Sequence, residues 1–94
     1  MVKEEAAGAI RAIVLEHARV RVDAIRDDHR LTADLGFDSL AFLMTVADVE
    51  ELFAIHFPLE GAGDLDHVTL GDFVGQVQRL RARPDVEADG AVRA

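Results

Sequence analysis

Ninety-four residues make one domain rather than two, and half of them are hydrophobic against 30% charged, a globular balance. A chain of this length buries only about 60–65% of the surface it exposes when unfolded, which leaves little core for an elaborate catalytic cavity. The absence of cysteine excludes a disulfide framework, a thiolate metal site and a cysteine nucleophile, and no apolar run approaches the ~20 residues of a membrane span. With no signal-peptide pattern at the start, the expectation is a soluble, cytoplasmic, monomeric protein.

The formal charge is −8, and its distribution is uneven. Residues 1–30 carry six basic and six acidic side chains, which cancel. From Leu31 to Gln78 there is no Lys or Arg, against nine carboxylates. Such a field repels phosphate backbones and disfavours nucleic acid. It solubilises the surface, and it would steer a basic partner.

Helical periodicity dominates, with no strand alternation. The first predicted helix, about Lys3 to His17, places Ala6, Ile10, Ile13, Val14 and His17 on one stripe, with Glu4 and Glu5 at its electropositive start. From Ala18 to Phe37 the pattern loosens into a long ordered loop with Val20, Val22, Ile25 and Leu31 as anchors. The second predicted helix runs from Ser39 to Ile55, stopped by Pro58, with Phe42, Val46, Val49 and Phe53 as its buried stripe. Leu40, Leu43, Met44 and Ala47 form a second apolar patch on it, either extra core or a surface for a partner.

An acidic, Gly-rich connection follows, with at most one helical turn around Asp64 to His67. Thr69 caps the last helix, and Asp72 plays the reciprocal part of a capping box. Its expected buried face is Leu70, Phe73, Val74, Val77 and Leu80. Pro84 ends it. The expected fold is all-α: a small three-to-four-helix bundle with a long loop between the first two main helices. A single domain over 1–83 is followed by a flexible tail over 84–94.

Metal chemistry finds no support in the spacing. His17, His29, His56 and His67 are too scattered for a helical pair or a zinc pattern, and Asp64-x-Asp66 fails the EF-hand loop because Thr69 and Gly75 stand where Gly and Glu are needed. No catalytic residue is assigned, since no base is placed for a nucleophile.

Ser39 is the only serine, in Asp34-Leu35-Gly36-Phe37-Asp38-Ser39-Leu40 where the loop gives way to the second helix. Asp38 or Ser39 would serve as a helix N-cap after a glycine turn. Equally, a hydroxyl at a helix N-terminus is exposed, and the free N–H groups and dipole there suit an attached phosphate, by about 0.3–1 kcal/mol.

From about Glu4 to Leu80 the chain resembles an acyl carrier protein. The resemblance consists of the amphipathic first helix, the anchored loop, Asp-Leu-Gly-Phe-Asp-Ser-Leu opening an acidic-edged helix, Glu50-Glu51-Leu52-Phe53 closing it, Phe57-Pro58, and Thr69-Leu70 opening the last helix. It implies a non-catalytic carrier whose Ser39 receives 4′-phosphopantetheine from coenzyme A through a separate Mg²⁺-dependent phosphopantetheinyl transferase. The arm's thiol then carries acyl groups as thioesters. Asp38 resembles the flanking aspartate that assists modification.

The same resemblance makes the second helix a recognition helix, with Leu40, Met44, Ala47, Glu50 and Glu51 meeting basic and apolar docking patches on an acyltransferase, ketosynthase or other pathway enzyme. Ala41 and Met44 stand where acidic residues are common in the fatty-acid type. The face is therefore expected to be more apolar, as in a dedicated polyketide or related natural-product pathway. A peptidyl or aminoacyl carrier on the same scaffold, and an unmodified acidic interaction module, are the alternative readings.

Overall fold

The computed structural model describes residues 1–59 and 65–82. Three α-helices, α1 (Lys3–His17), α2 (Ser39–Phe53) and α3 (Leu70–Ala82), are joined by the long loop and a 3-10 turn at Leu65–His67. Among the described residues there is no strand, only an isolated antiparallel bridge between Arg30 and Thr69. The fold is the expected all-α bundle. The glycine connection at 60–64, the domain limit at 83 and the tail at 84–94 lie outside the described residues.

Each helix forms where its caps and apolar spacing dictate. α1 buries Ala6, Ile10 and Val14, while Ile13 and His17 are half-buried at its edge. α3 opens with the reciprocal box: Thr69 Oγ1 accepts the Asp72 N–H at 3.0 Å, and Asp72 Oδ2 accepts the Thr69 N–H at 3.1 Å. Its buried face is the expected set of Leu70, Phe73, Val74, Val77 and Leu80. α2 ends two residues earlier than the spacing suggests, because Ala54 adopts a left-handed conformation (φ 56°, ψ 46°) that closes the helix on the Glu50 carbonyl.

The buried face of α2 is broader than a single stripe. Ala41, Phe42, Thr45, Val46 and Val49 are buried, whereas Phe53 is only half-buried. Thr45 satisfies its hydroxyl on the Ala41 carbonyl at 2.8 Å, so a polar residue enters the core without loss. Leu40, Leu43, Met44 and Ala47 are exposed, and the second apolar patch is therefore surface rather than core.

α1 packs against both α2 and α3. α2 and α3 meet through rings: Phe42 lies edge-on to Phe57 at 6.1 Å and to Phe73 at 5.9 Å, and Phe57 tilts against Phe73 at 5.4 Å. Edge-to-face pairs of this kind contribute about 0.5–1.5 kcal/mol each beyond their buried area. Phe57 brings the segment after α2 into the core, a role its position beside Pro58 did not suggest.

The long loop is ordered by backbone pairing with the start of α3. Leu31 N–H donates to the Val68 carbonyl (3.0 Å), Leu70 N–H to His29 (2.8 Å) and Gly71 N–H to Asp27 (2.8 Å). The close approach favours glycine at 71, where a Cβ would lie 3.1 Å from the Asp27 Cβ and 3.2 Å from its carbonyl oxygen, so that the loop would have to give by a few tenths of an ångström. Leu31, Leu35 and Phe37 are buried. Of the expected loop anchors, Leu31 is fully buried and Val22 and Ile25 half-buried, but Val20 is exposed and braces the loop from outside.

Candidate functional site

The residues that set the site are those that end the loop. Its last turn is closed locally: Asp34 N–H and Leu35 N–H both reach the Arg30 carbonyl, Asp34 Oδ2 accepts the Arg30 N–H at 2.7 Å, and Phe37 N–H returns to Leu31. Gly36 then takes φ +73°, and a Cβ there would fall 2.8 Å from a Val20 methyl. Only glycine fits both the conformation and the space. Arg19 N–H and Val20 N–H both donate to the Leu35 carbonyl, at 2.9 and 3.1 Å. The chain just after α1 is thereby fixed beside the turn that leads into α2.

Asp38 is the N-cap of α2: its Oδ1 accepts the Ala41 N–H at 2.9 Å. Of the two residues that the sequence left as possible caps, the structure selects Asp38. Ser39, first residue of α2, is exposed, and its hydroxyl is released from capping. Asp38 Oδ2 meets Arg19 Nη1 at 3.0 Å, an ion pair between half-exposed side chains. Nothing along the chain signals it, since eighteen residues of loop, 20–37, separate the partners.

The other hydroxyl-bearing residues are placed differently. The chain has no tyrosine. Thr45 is buried on the Ala41 carbonyl, Thr69 is spent on the α3 cap, and Thr32 Oγ1 is buried. Ser39 is therefore the one exposed hydroxyl-bearing residue, at the positive end of a helix dipole, with a cation at the neighbouring carboxylate. This arrangement fits a phosphate on Ser39 Oγ: α2 supplies favourable field, and a phosphodiester at that position points to solvent.

The residues expected to meet a partner lie on α2. Leu40 is 57% exposed and Met44 45%, with Ala47 and Glu51 also exposed along the same side. Leu43, 48% exposed, widens the apolar strip. Glu50 is half-buried, and its Oε2 accepts the Phe57 N–H at 2.8 Å, so it ties the segment after α2 as well as edging the face. Ala41 is buried, at 2% exposure, and is corrected: it belongs to the core, not to the recognition face, so that of the two positions expected to make the face more apolar only Met44 does so.

His17, at the end of the apolar stripe of α1, holds α1 to α2 through Nε2 and Asp48 Oδ2 at 2.7 Å. Glu16, His17 and Asp48 bring one potential ligand atom each to within 4.8 Å of one another. Spacing rules along the chain cannot find such a group, because two helices contribute it. Among the described residues, no helix is long and apolar enough to cross a membrane.

Comparison with known proteins converges on the same chemistry. The family model for the phosphopantetheine attachment site matches residues 8–77. The chain is 34% identical over 71 residues to an acyl carrier protein of Campylobacter hominis, covering 76% of this chain and 87% of that one. It is 32% identical over 69 residues to one of Wolinella succinogenes (73% and 88%) and 30% over 71 residues to one of a Sulfurovum species (76% and 92%). The arm implied by this match is covalently bound 4′-phosphopantetheine. The chain belongs to the acyl carrier protein family, as a carrier built around a phosphopantetheine attachment site.

Proposed function

We propose that Ser39 is the attachment residue, and that the arm it bears carries acyl intermediates as thioesters between the enzymes of a dedicated pathway. The observation that carries this reading is the division of labour at α2: Asp38 caps the helix, and the adjacent hydroxyl is exposed with no structural duty. In the modification, Ser39 Oγ forms a bond to the phosphorus that bears pantetheine in coenzyme A. The bond from that phosphorus to the adenosine bisphosphate breaks, the nucleotide leaves, and the serine proton is released. A separate Mg²⁺-dependent phosphopantetheinyl transferase supplies the catalysis, with Asp38 assisting.

Once loaded, the thiol of the arm gives a chain without cysteine its thioester chemistry. The exposed strip of Leu40, Leu43, Met44 and Ala47, edged by Glu50 and Glu51, supports docking on partners that offer an apolar patch rimmed by basic residues. That composition favours a polyketide or related natural-product pathway, with an acyltransferase or ketosynthase as partner, acting in the cytoplasm. Intact mass before and after incubation with coenzyme A, Mg²⁺ and a broad-specificity transferase tests the assignment, with Ser39→Ala alongside. A gain of one phosphopantetheine in the native chain alone is expected. A fully modified Ser39→Ala chain would overturn it.

A further inference from the structure

We propose that Arg19 is the phosphodiester-binding residue of this carrier, its guanidinium bridging the Asp38 carboxylate and a non-bridging oxygen of the phosphate on Ser39. The inference rests on Ser39 being the attachment residue, and it adds a positioning group that the loop's sequence does not announce. Three observations carry it.

The first is charge. From Leu31 to Gln78 the chain has no Lys or Arg against nine carboxylates, so the segment that holds Ser39 supplies no permanent cation. Modification places another negative charge beside Asp38. A cation that offsets it must come from elsewhere in the chain, and Arg19 is already there, with Nη1 3.0 Å from Asp38 Oδ2.

The second is anchoring. A surface ion pair between two free side chains contributes little, because holding both in one geometry costs entropy. Here the backbone of the cation is fixed: Arg19 and Val20 both donate their N–H groups to the Leu35 carbonyl, against the turn at Gly36 where no side chain fits. Only the side-chain torsions of Arg19 remain to be ordered.

The third is donor geometry. A guanidinium presents five N–H donors in a planar fork matched to carboxylate and phosphate oxygens. Asp38 is the one side-chain partner of Arg19 among the described residues, and it engages one edge of the fork. Arg19 and Ser39 are both exposed, and Ser39 directly follows the Asp38 that Arg19 engages, so the remaining donors are within the neighbourhood of a phosphate on that serine. Asp38 keeps its other oxygen on the Ala41 N–H, so the cap persists while Arg19 turns to the phosphate.

The test uses the full chain in its unmodified and modified forms, with Arg19→Ala, Arg19→Lys and, as a neighbouring exposed cation, Arg21→Ala. The primary readout is the Arg19 Nε–H resonance in ¹H–¹⁵N spectra, with ³¹P transverse relaxation of the phosphodiester as the second. On modification the Arg19 Nε–H resonance shifts and that of Arg21 does not. The shift fades in 1 M salt, where the screening length falls to about 3 Å. In modified Arg19→Ala the ³¹P signal relaxes more slowly than in the native chain, Arg19→Lys lies between them, and Arg21→Ala matches the native chain. Helix content by circular dichroism stays constant across the set.

A confirmed mass gain with an unmoved Arg19 resonance, or equal ³¹P relaxation in native and Arg19→Ala chains, overturns this proposal and leaves the Ser39 assignment standing. Absence of any mass gain, with the transferase active on a control carrier, overturns both.

Discussion

Leu31 donates its backbone N–H to the carbonyl of Val68 at 3.0 Å while its side chain is fully buried, so one loop residue is bound by both its main chain and its side chain. Leu31→Ala removes the apolar anchor and leaves a cavity under the loop. The expected loss is about 2–4 kcal/mol, read from urea denaturation with an unchanged m-value.

The cap assignment separates two adjacent residues. Asp38→Ala forfeits the bond to the Ala41 N–H and is expected to cost about 1 kcal/mol. Ser39→Ala, at an exposed position with no capping bond, should stay within about 0.5 kcal/mol of the native chain. Equal destabilisation by the two in paired thermal melts would show that the hydroxyl shares the cap after all.

Two positions share a left-handed backbone, one filled by glycine and the other by alanine. Gly36 holds φ +73° against Val20, and Gly36→Ala should destabilise by about 2 kcal/mol. Ala54 holds φ 56° at the end of α2, and Ala54→Gly should stabilise by about 0.5–1 kcal/mol, the relief of left-handed strain less the extra chain entropy of glycine. Opposite shifts in melting temperature check the pair.

The exposed and buried sides of α2 predict opposite phenotypes for the same change. Leu40→Glu and Met44→Glu should leave the melting transition and the helix signal at 222 nm unaltered, and should lower kcat/KM of the cognate acylating enzyme for the modified carrier roughly tenfold. Ala41→Glu buries a carboxylate in the core and should abolish cooperative melting. A helix signal lost in Met44→Glu would mean that this strip supports the fold rather than a partner.

A hydroxyl buried without a partner is a site for improvement. Thr32 Oγ1 makes no hydrogen bond among the described residues. Thr32→Val exchanges the hydroxyl for a methyl and is expected to raise stability by about 0.5–1 kcal/mol in urea denaturation. Destabilisation instead would reveal a water held at that oxygen.

What periodicity and capping govern was readable along the chain. The bounds of α1, the Thr69–Asp72 box and the buried face of α3 are all set by residues within one or two helical turns of each other. The position of Ser39 at the start of α2 was legible for the same reason. What escaped depends on parts of the chain brought together only by folding: Arg19 against Asp38, His17 against Asp48, Phe57 among the rings, and the loop laced to α3. The side on which Ala41 falls escapes the pattern because small residues carry weak burial signals, and the width of the α2 core decides it. The end of α2 is hidden in the sequence because an alanine rather than a glycine takes the left-handed position.

The chain holds four hydroxyl side chains, and three of them are withdrawn by burial or by a cap. Chemistry directed at an exposed aliphatic hydroxyl therefore has a fixed stoichiometry on this molecule: one event per polypeptide, at one address. With the arm on Ser39, as proposed, this chain moves a single passenger per trip, so throughput rises with the number of chains or the rate at which each is reloaded.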